Sequence, residues 1–505
     1  MTAAAPDTAA PGTTAPGTAT PHAAVPDPGR SPGEVTTAVP FTGGRTGDAP
    51  LTWGQRAIWH AIGRTAPNDH YFNIGRVLPL ADRGAPVELP RLTGALAALL
   101  VRHEALRTRI VAGEEGEPRQ HLHAEGLVEV SLHDVLDPAE AGAAAENLLS
   151  SLSSRRFDYA REWPVRFGAI RHEGRITHVV LALCHLATDG HGAEILVRDL
   201  RLLVRRGSAG PACAETPLGL ARHQASPAGR RSGRAALTHW EKGLRQAPPT
   251  MFPNPVAAPR TPRFWTGRLV SAALPRAVEA VAATHRVSGS TVLLTASAAL
   301  VAADQGHSIA AVMPIAGNRA AQDHRTLVST LSQDALFILR MDEVPGPDAV
   351  FTDLLAGAWP AALAGYRAAA YDPCGWDALL DRASRERGAE VHPYCCFNDM
   401  RLAERATATG TASAPCASEL AALRRRSVLD LPATQDRVAC RYCLHVSGDD
   451  GALTVTLTAD TAYLPPAAIH AHLRAIEEVV VSSWADTPPL LAALPGLLAA
   501  EGSGR

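Results

Sequence analysis

The most constraining feature of this 505-residue sequence is an apolar run, THVVLALC (177–184), that leads through a short loop into an amphipathic pattern. A strand without polar alternation is typical of a sheet that is covered on both faces. In GAEILVRDLRLLVRRG (192–207), apolar residues recur at helical spacing, and Gly207 suits the end of a helix; the apolar residues are Ile195, Leu196, Leu200 and Leu203. A buried strand followed by such a helix predicts an α/β fold.

The loop between these elements, CHLATDG (184–190), brings several polar and reactive groups together. If the strand alternates, His185 and Cys184 point to opposite faces. Asp189 and Gly190 directly precede the helix, where an aspartate caps exposed amides and free N–H groups can hold a developing oxyanion. From the residues alone, two interpretations stay open: a capped turn with a satisfied histidine, and a catalytic loop.

Composition divides the chain into two ordered parts and three connecting or terminal segments. Residues 1–47 have few large apolar side chains to bury, so we predict a disordered Ala/Pro/Thr-rich tail. Residues 208–235 are rich in Pro, Ala, Gly and Arg and are predicted to link two lobes, 48–207 and 236–490. The last residues, 491–505, are predicted to form a flexible tail.

Periodicity predicts further elements in both lobes. Apolar residues at helical spacing over 87–110 predict one helix. Two strictly alternating stretches joined by SGDDG predict a β-hairpin over 437–446 and 452–458. A last helix is expected over 466–484.

Charge and hydropathy argue against several kinds of partner. The formal net charge is −2, without the basic run that would follow a phosphate backbone, so we expect no nucleic-acid partner. The longest apolar run, near 291–303, is interrupted by Thr and Ser and is too short to span a bilayer, so we expect no membrane partner. The N-terminus lacks the basic start and apolar core of a secretory signal, which predicts a cytoplasmic protein with reduced thiols.

Two of the eight cysteines, Cys440 and Cys443, have the C-x-x-C spacing that occurs in metal and redox sites. On a strand, residues three apart face opposite ways, and no second pair follows these two. We therefore expect no metal site in this protein.

Six stretches that flank the loop occur in an order that resembles the condensation-domain superfamily of nonribosomal peptide synthesis. The resemblance covers roughly 50–490. The family's second motif, Arg-His-Glu-x-Leu-Arg-Thr, is matched throughout by residues 102–108. Its signature, His-His-x-x-x-Asp-Gly, is matched by residues 184–190, with cysteine in place of the first histidine. The six stretches are LTWGQRAIWHAI (51–62), VRHEALRTRI (101–110), HWEKGLRQAPP (239–249), PIAGNR (314–319), LVSTLSQDALFILR (327–340) and YCCFNDMR (394–401).

The resemblance implies a fold and an activity. The fold is α/β, with two chloramphenicol-acetyltransferase-like lobes arranged as a V-shaped pseudo-dimer and a tunnel between them. The activity is acyl transfer, which forms an amide or an ester. The second histidine of the signature is the key residue of the family, and that position is His185 here. Whether it acts as a general base, or by positioning the nucleophile and stabilising the intermediate, is left open.

The resemblance also assigns roles to residues around His185. Asp189 is expected to hold the loop by pairing with an arginine, with Arg102 and Arg319 as candidates and Arg107 as a third. Gly190 is expected to supply a backbone N–H and room for the acyl group.

The sequence departs from the family pattern at several positions. Cys184 replaces the first histidine, Gly192 stands where a serine is common, and Gln333 stands where an asparagine is usual. Gln333 can still donate an amide hydrogen bond. The residues that we consider for contact with the acceptor or its channel are Cys184, Gln333, Asn398 and Trp240, although core packing is the more common role of a tryptophan.

The expected function is that of a freestanding condensation enzyme, because adenylation motifs and a carrier-protein phosphopantetheine serine are missing from the sequence. The donor is then presented on the phosphopantetheine arm of a peptidyl or acyl carrier protein, and no bound cofactor is expected. The acceptor is a small-molecule amine or alcohol, or a second carrier-bound substrate. Two alternatives stay open: a catalytically degenerate recruitment module, and an O-acyltransferase that uses acyl-CoA.

Overall fold

The computed structural model describes residues 35–80, 87–344, 346–401, 415–438, 440–449, 451–485 and 487–499. They form two lobes, each built around one large β-sheet with helices packed against it. The α/β fold that the sequence predicts is confirmed.

The N-terminal lobe contains a six-stranded sheet and a small three-stranded sheet. The strands are β1 (Val35–Thr42), β2 (Gly47–Pro50), β3 (Ile74–Pro79), β4 (Val87–Glu88), β5 (Thr108–Ala112), β6 (Pro118–Leu122), β7 (Glu125–Asp134), β8 (Val165–His172) and β9 (Arg175–Leu183). The helices are α1 (Trp53–Thr65), α2 (Leu89–Arg102), α3 (Ala141–Ser153) and α4 (Gly190–Arg206). The large sheet has the order β1-β7-β8-β9-β3, with β4 also beside β9, and β2-β6-β5 form the small one.

Strand β9 is apolar throughout because both of its faces are covered. Leu181 and Leu183 face the core formed with α2 and α4. Val180 and Ala182 face the opposite layer, against α3. Helix α4 ends as predicted, since Gly207 adopts the left-handed conformation (φ 71°) that favours glycine.

Two helices connect the lobes, α5 (Pro217–Ala225) and α6 (Pro227–Gln246). Most of the predicted inter-lobe linker, 208–235, is therefore helical. Its glycines permit close packing rather than flexibility, since a Cβ at Gly233 would lie 2.9 Å from the ring of Trp53. The helix predicted from 237 onward is the second half of α6.

The C-terminal lobe contains an eight-stranded sheet with the order β12-β11-β14-β16-β17-β10-β15, and β13 also pairs with β11. Its strands are β10 (Phe264–Ser271), β11 (Ile309–Ala316), β12 (Gln333–Asp334), β13 (Phe337–Arg340), β14 (Cys395–Asp399), β15 (Val428–Gln435), β16 (Tyr442–Gly448) and β17 (Leu453–Asp460). Its helices are α7 (Ala273–His285), α8 (Gly289–Gln305), α9 (Leu355–Arg367), α10 (Pro373–Arg387), α11 (Ala417–Arg424), α12 (Pro466–Ala485) and α13 (Leu494–Ala499). The predicted hairpin (β16–β17) and last long helix (α12) are confirmed.

Both predicted tails are too long. Residues 35–42 form β1, which pairs with β7 and buries Val39 and Phe41, so order begins well before residue 48. At the other end, Leu494 is buried in the C-terminal core and begins α13. The remaining parts of both predicted tails, 1–34 and 500–505, lie outside the described residues.

The single helix predicted over 87–110 is wrong. Helix α2 ends at Arg102, since His103 adopts an extended conformation (φ −113°, ψ 97°). A 3-10 turn (Glu104–Arg107) and β5 follow. Leu106 matches the apolar spacing of the helix because it is buried in that turn. Periodicity alone does not distinguish a buried residue in a turn from one in a continuing helix.

Within the described ranges, no single helix has both the length and the apolar character that crossing a membrane requires. Helices α7 and α8 meet that criterion only when taken together, and they are bent by 100° at their junction. Twelve residues of α8 are buried in the C-terminal lobe, which accounts for its apolar sequence.

Candidate active site

The signature loop connects the end of β9 to the start of α4. Residues 184–189 leave the strand through a turn, and Asp189 is the N-cap of the helix. Its Oδ1 accepts a hydrogen bond from the N–H of Gly192 at 2.9 Å. The capping role predicted from the Asp-Gly pair is therefore present, and the aspartate also lies at the positive end of the helix dipole.

The remaining bonds of the Asp189 carboxylate come from the C-terminal lobe. Arg319 donates from Nη2 to Oδ1 at 2.7 Å. The backbone N–H groups of Leu331 and Ser332 donate to Oδ2 at 3.0 and 3.1 Å. Each oxygen thus accepts two hydrogen bonds, so this carboxylate is suited to holding the loop rather than to accepting a proton.

The C-terminal residues that bind Asp189 belong to a stretch that we call the crossing segment (327–332). Val328 is buried in the core of the N-terminal lobe, although the segment precedes β12 of the other lobe. The Thr330 hydroxyl donates to the carbonyl of His185. Arg319 donates from Nη1 to the carbonyls of His324 and Leu327, both at 2.8 Å, so the same guanidinium binds the loop and the segment.

His185 lies directly after the strand and is half-buried. Burial lowers its pKa below the usual value, and the negative charge of Asp189 opposes this only in part. The imidazole is therefore neutral at neutral pH, which both roles considered for it require. Its Nδ1 is buried and makes no hydrogen bond of ordinary geometry within the described residues.

The glycines that follow have opposite surroundings. Gly190 is exposed, and a Cβ built there would meet no atom within 4 Å, so open space adjoins the loop where α4 begins. A Cβ at Gly192 would overlap the hydroxyl of Thr188, a side chain that is fully buried. Thr188 therefore explains why the serine that is common at position 192 in the family is absent here.

This contact predicts the effect of restoring that serine. Gly192→Ser is expected to lower the free energy of unfolding by about 1–3 kcal/mol, the usual cost of overpacking. Adding Thr188→Ala removes the overlapping hydroxyl and is expected to recover most of the loss. Urea unfolding of the single and double variants measures both values; equal losses in the two would contradict the explanation.

Two of the three predicted arginine partners do not reach Asp189. The Arg102 guanidinium binds Asp199 of α4 at 2.7 Å, and His103 binds the same carboxylate at 3.0 Å. Arg107 is buried beside Glu104, at 3.5 Å. Residues 102–104 of the Arg-His-Glu motif thus stabilise α4 and the turn after α2, and they do not contact Asp189.

Two of the predicted channel residues are core residues. Cys184 packs with Ile62, Phe157 and other apolar side chains on the face opposite the main N-terminal core, and burial raises its pKa to about 12. It is therefore a thiol, not a nucleophilic thiolate. Trp240 is fully buried against Tyr371 and Trp376. Both side chains are almost completely buried.

The other two channel candidates lie in the C-terminal sheet. Gln333 is buried, and its amide donates to the carbonyl of Tyr371 at 3.0 Å, which makes it a structural contact. Asn398 is half-buried on β14, opposite His445 of β16. The structure does not bring either of them to His185 through a direct hydrogen bond.

Supporting residues at the start of α1 escaped the sequence-based prediction of the site. Gln55 caps α1 together with Thr52, and its amide donates to the carbonyl of Leu186 in the loop at 2.9 Å. Gly54 permits close approach of the crossing segment, since a Cβ there would overlap the carbonyl of Thr330. The Thr-x-x-Gln spacing of a capping box was a visible signal for Gln55.

The two cysteines of the C-x-x-C pair do not lie on one strand, contrary to the prediction. Cys440 precedes β16 rather than lying on it, so strand alternation does not separate it from Cys443. The two sulfurs lie within 4.8 Å of one another, together with that of Cys396.

Comparisons with known proteins agree on one family. The model of the family described as the condensation domain matches residues 45–329, which is more than half of the chain. Phosphinothricin tripeptide synthetase PhsC of Streptomyces viridochromogenes is 27% identical over 368 residues, covering 70% of this chain and 33% of that protein. The probable nonribosomal peptide synthetase CymA of Salinispora arenicola is 29% identical over 399 residues, covering 72% and 5%. The chain thus spans a third or less of these two relatives.

Solved structures show the same fold. The condensation domain of the monacolin K polyketide synthase MokA has a TM-score of 0.66 at 17% identity, covering 88% of this chain and 99% of that one. SgcC5 of Streptomyces globisporus has a TM-score of 0.63 at 17% identity, covering 87% and 100%. The range that the family model matches, residues 45–329, includes both the signature loop and Arg319. This chain therefore belongs to the condensation-domain family.

Proposed function

We propose that this protein transfers an acyl or aminoacyl group from a carrier-protein thioester to an amine or a hydroxyl, in the biosynthesis of a nonribosomal peptide or related natural product. The observation that supports this most is the state of His185. It is a neutral, half-buried imidazole in a loop that opens to free space at Gly190. The Asp189–Arg319 pair and the crossing segment hold its loop from the other lobe.

The chemistry follows from that placement. The acceptor N–H or O–H approaches the thioester carbonyl, a C–N or C–O bond forms, and the C–S bond breaks. His185 orients the acceptor and takes its proton, or stabilises the intermediate while the proton passes to the departing thiolate. Asp189 takes no part in this transfer, because both of its oxygens are already hydrogen-bonded.

The donor and acceptor classes are supported by the relatives and by solved neighbours. The relatives are peptide synthetases, which favours a carrier-bound donor on a phosphopantetheine arm and no resident cofactor. One solved neighbour was crystallised with an eight-carbon acyl-CoA and a leucine thioester. SgcC5 was crystallised with a naphthyl ethanediol, an alcohol. We therefore propose that the protein accepts a small amine or alcohol.

A carrier-dependence assay tests this function. The purified protein is mixed with octanoyl-loaded or leucyl-loaded carrier protein and with the leucine thioester or the naphthyl ethanediol as acceptor. Because the carrier is proposed to dock on the enzyme, the loaded carrier is expected to give product at least about tenfold faster than the same acyl group on CoA at equal concentration. Mass spectrometry of the product and of the discharged carrier measures the reaction.

Unloaded carrier is the control for acceptor breakdown. Equal rates from acyl-CoA and from loaded carrier would contradict carrier dependence and favour the acyl-CoA alternative. Stable binding of a loaded carrier without turnover of any donor and acceptor pair would contradict catalysis and favour the recruitment alternative.

A further inference from the structure

Three cysteines from two separate parts of the C-terminal lobe converge at one place. Cys396 on β14 and Cys443 on β16 are directly opposite each other in a parallel strand pair. Cys440 lies just before β16, and its Sγ is 2.7 Å from that of Cys396. All three Sγ atoms lie within 4.8 Å of one another, and all three cysteines are free thiols.

An imidazole adjoins this cluster. His445 follows Cys443 by two residues and therefore shares its face of β16. Its Nε2 is 3.2 Å from the Cys443 sulfur. The alternate residues of the strand, Tyr442, Leu444 and Val446, are fully buried in the core. Cys443 and His445 are half-buried, so the face that carries the cluster remains accessible to an ion.

The cluster also lies where the two lobes meet. Arg437, three residues before Cys440, donates to the carbonyl of Ala66 at the end of α1. Tyr394, two residues before Cys396, lies 6.0 Å from the guanidinium of Arg64, in the last turn of the same helix. A ligand bound by the cysteines would therefore fix the segment before β16 beside the contact between the lobes.

We propose that the thiolates of Cys396, Cys440 and Cys443 form a binding site for Zn²⁺, with His445 as the fourth ligand. The imidazole contacts the Cys443 sulfur but lies outside the group of three sulfurs that are within 4.8 Å of one another, so it moves toward the other sulfurs on binding. Three thiolates and one imidazole are an established ligand set for tetrahedral structural zinc. Zinc–sulfur bonds of about 2.3 Å place two sulfurs of a tetrahedral site about 3.8 Å apart. Cys396 and Cys440 therefore separate by about 1 Å on binding, and the thiol protons are released to solvent. This site is distinct from the His185 loop and does not depend on the proposed function.

Metal binding by the full-length protein tests the proposal. The protein is prepared reduced and metal-free and is then titrated with Zn²⁺ against a chromogenic chelator. We expect one ion per chain and a rise in Tm on binding, because a ligand of the native state stabilises it. Titration with Co²⁺ is expected to give thiolate-to-cobalt charge-transfer absorption and the visible bands of a tetrahedral site.

Cys440→Ser is the variant of choice because Cys440 is half-buried and lies outside the strands, so the fold is expected to tolerate it. It should lose the charge-transfer band and at least about tenfold of the zinc affinity, a loss also expected for His445→Ala. Cys416→Ser, at an exposed cysteine elsewhere in the lobe, is the matched control and should bind as the wild type does. Circular dichroism of each variant checks that the metal-free fold is unchanged.

Three results would overturn the proposal. The first is that the reduced wild type binds no zinc at micromolar concentration. The second is that Cys440→Ser binds zinc as tightly as Cys416→Ser does. The third is that mass spectrometry finds Cys396 and Cys440 in a disulfide that persists under the reducing conditions of the titration.

Discussion

Replacing His185 by alanine is expected to lower kcat for carrier-dependent condensation by about 10²–10⁴-fold, the usual contribution of a positioned acid–base group. The fold should survive, because the hydrogen bonds that hold the loop go to Asp189 and to the backbone carbonyls of residues 185 and 186. Single-turnover kinetics with loaded carrier measure the loss, and the Tm of the variant checks its stability.

Cys184→Ala is the matched control at the neighbouring position. Its thiol packs in an apolar cluster and has a pKa of about 12, so removing it should leave kcat within about twofold while lowering stability. A loss of kcat at Cys184 as large as that at His185 would contradict the assignment and favour a thiol nucleophile.

The pH profile gives a second readout for His185. Activity requires the neutral imidazole, and burial lowers the pKa of this group below its usual value near 6.5. As pH falls, kcat/KM is therefore expected to stay constant through 6.5 and to decrease only at lower pH, where the imidazole becomes protonated. If the wild-type profile has an inflection at or above pH 6.5 that is absent from His185→Ala, the pKa of His185 is not lowered and the prediction is wrong.

Local signals predicted the loop well. The Asp189 cap, the end of α4 at Gly207 and the apolar strand β9 all depend on neighbours within a few residues, and the sequence displays those neighbours directly. The resemblance to condensation domains identified His185 as the key residue, which the capping pattern alone could not do.

Composition is a poor guide to secondary structure where glycine and alanine are needed for close packing. The Gly- and Ala-rich stretch after 208 gives no sign of the helices that it forms, in which Gly229 and Gly233 let α6 pack closely against its neighbours. Similarly, the alternating Val39 and Phe41 of β1 were overlooked because the Ala/Pro/Thr-rich texture around them dominated.

Long-range pairing is what the sequence could not decide. Arg102, Arg319 and, as a third, Arg107 are the candidates for Asp189 from the sequence, and only the path of the crossing segment selects Arg319. The register of β14 beside β16 likewise brings Cys396 to Cys443, a pair 47 residues apart in sequence that no local spacing could reveal.

The Asp189–Arg319 pair predicts the largest effect on stability. Only 4% and 8% of the two side chains are exposed. Asp189→Ala leaves a buried guanidinium with carbonyl partners alone, together with three backbone N–H groups that lose their acceptor. Such a variant is expected to lower the free energy of unfolding by about 3–5 kcal/mol, measured by urea denaturation. The exposed pair Asp134–Arg171 is the control, and Asp134→Ala should cost far less.

Arg319→Met should cost less than Asp189→Ala, because the carboxylate keeps three backbone N–H donors when the arginine is removed. Since the two residues interact directly, the double variant is expected to lose about 0.5–3 kcal/mol less than the sum of the single losses. Additive losses would mean that each residue acts separately. The crossing segment would then be held by the hydroxyl of Thr330 and by the burial of Val328, with the ion pair contributing little to the contact between the lobes.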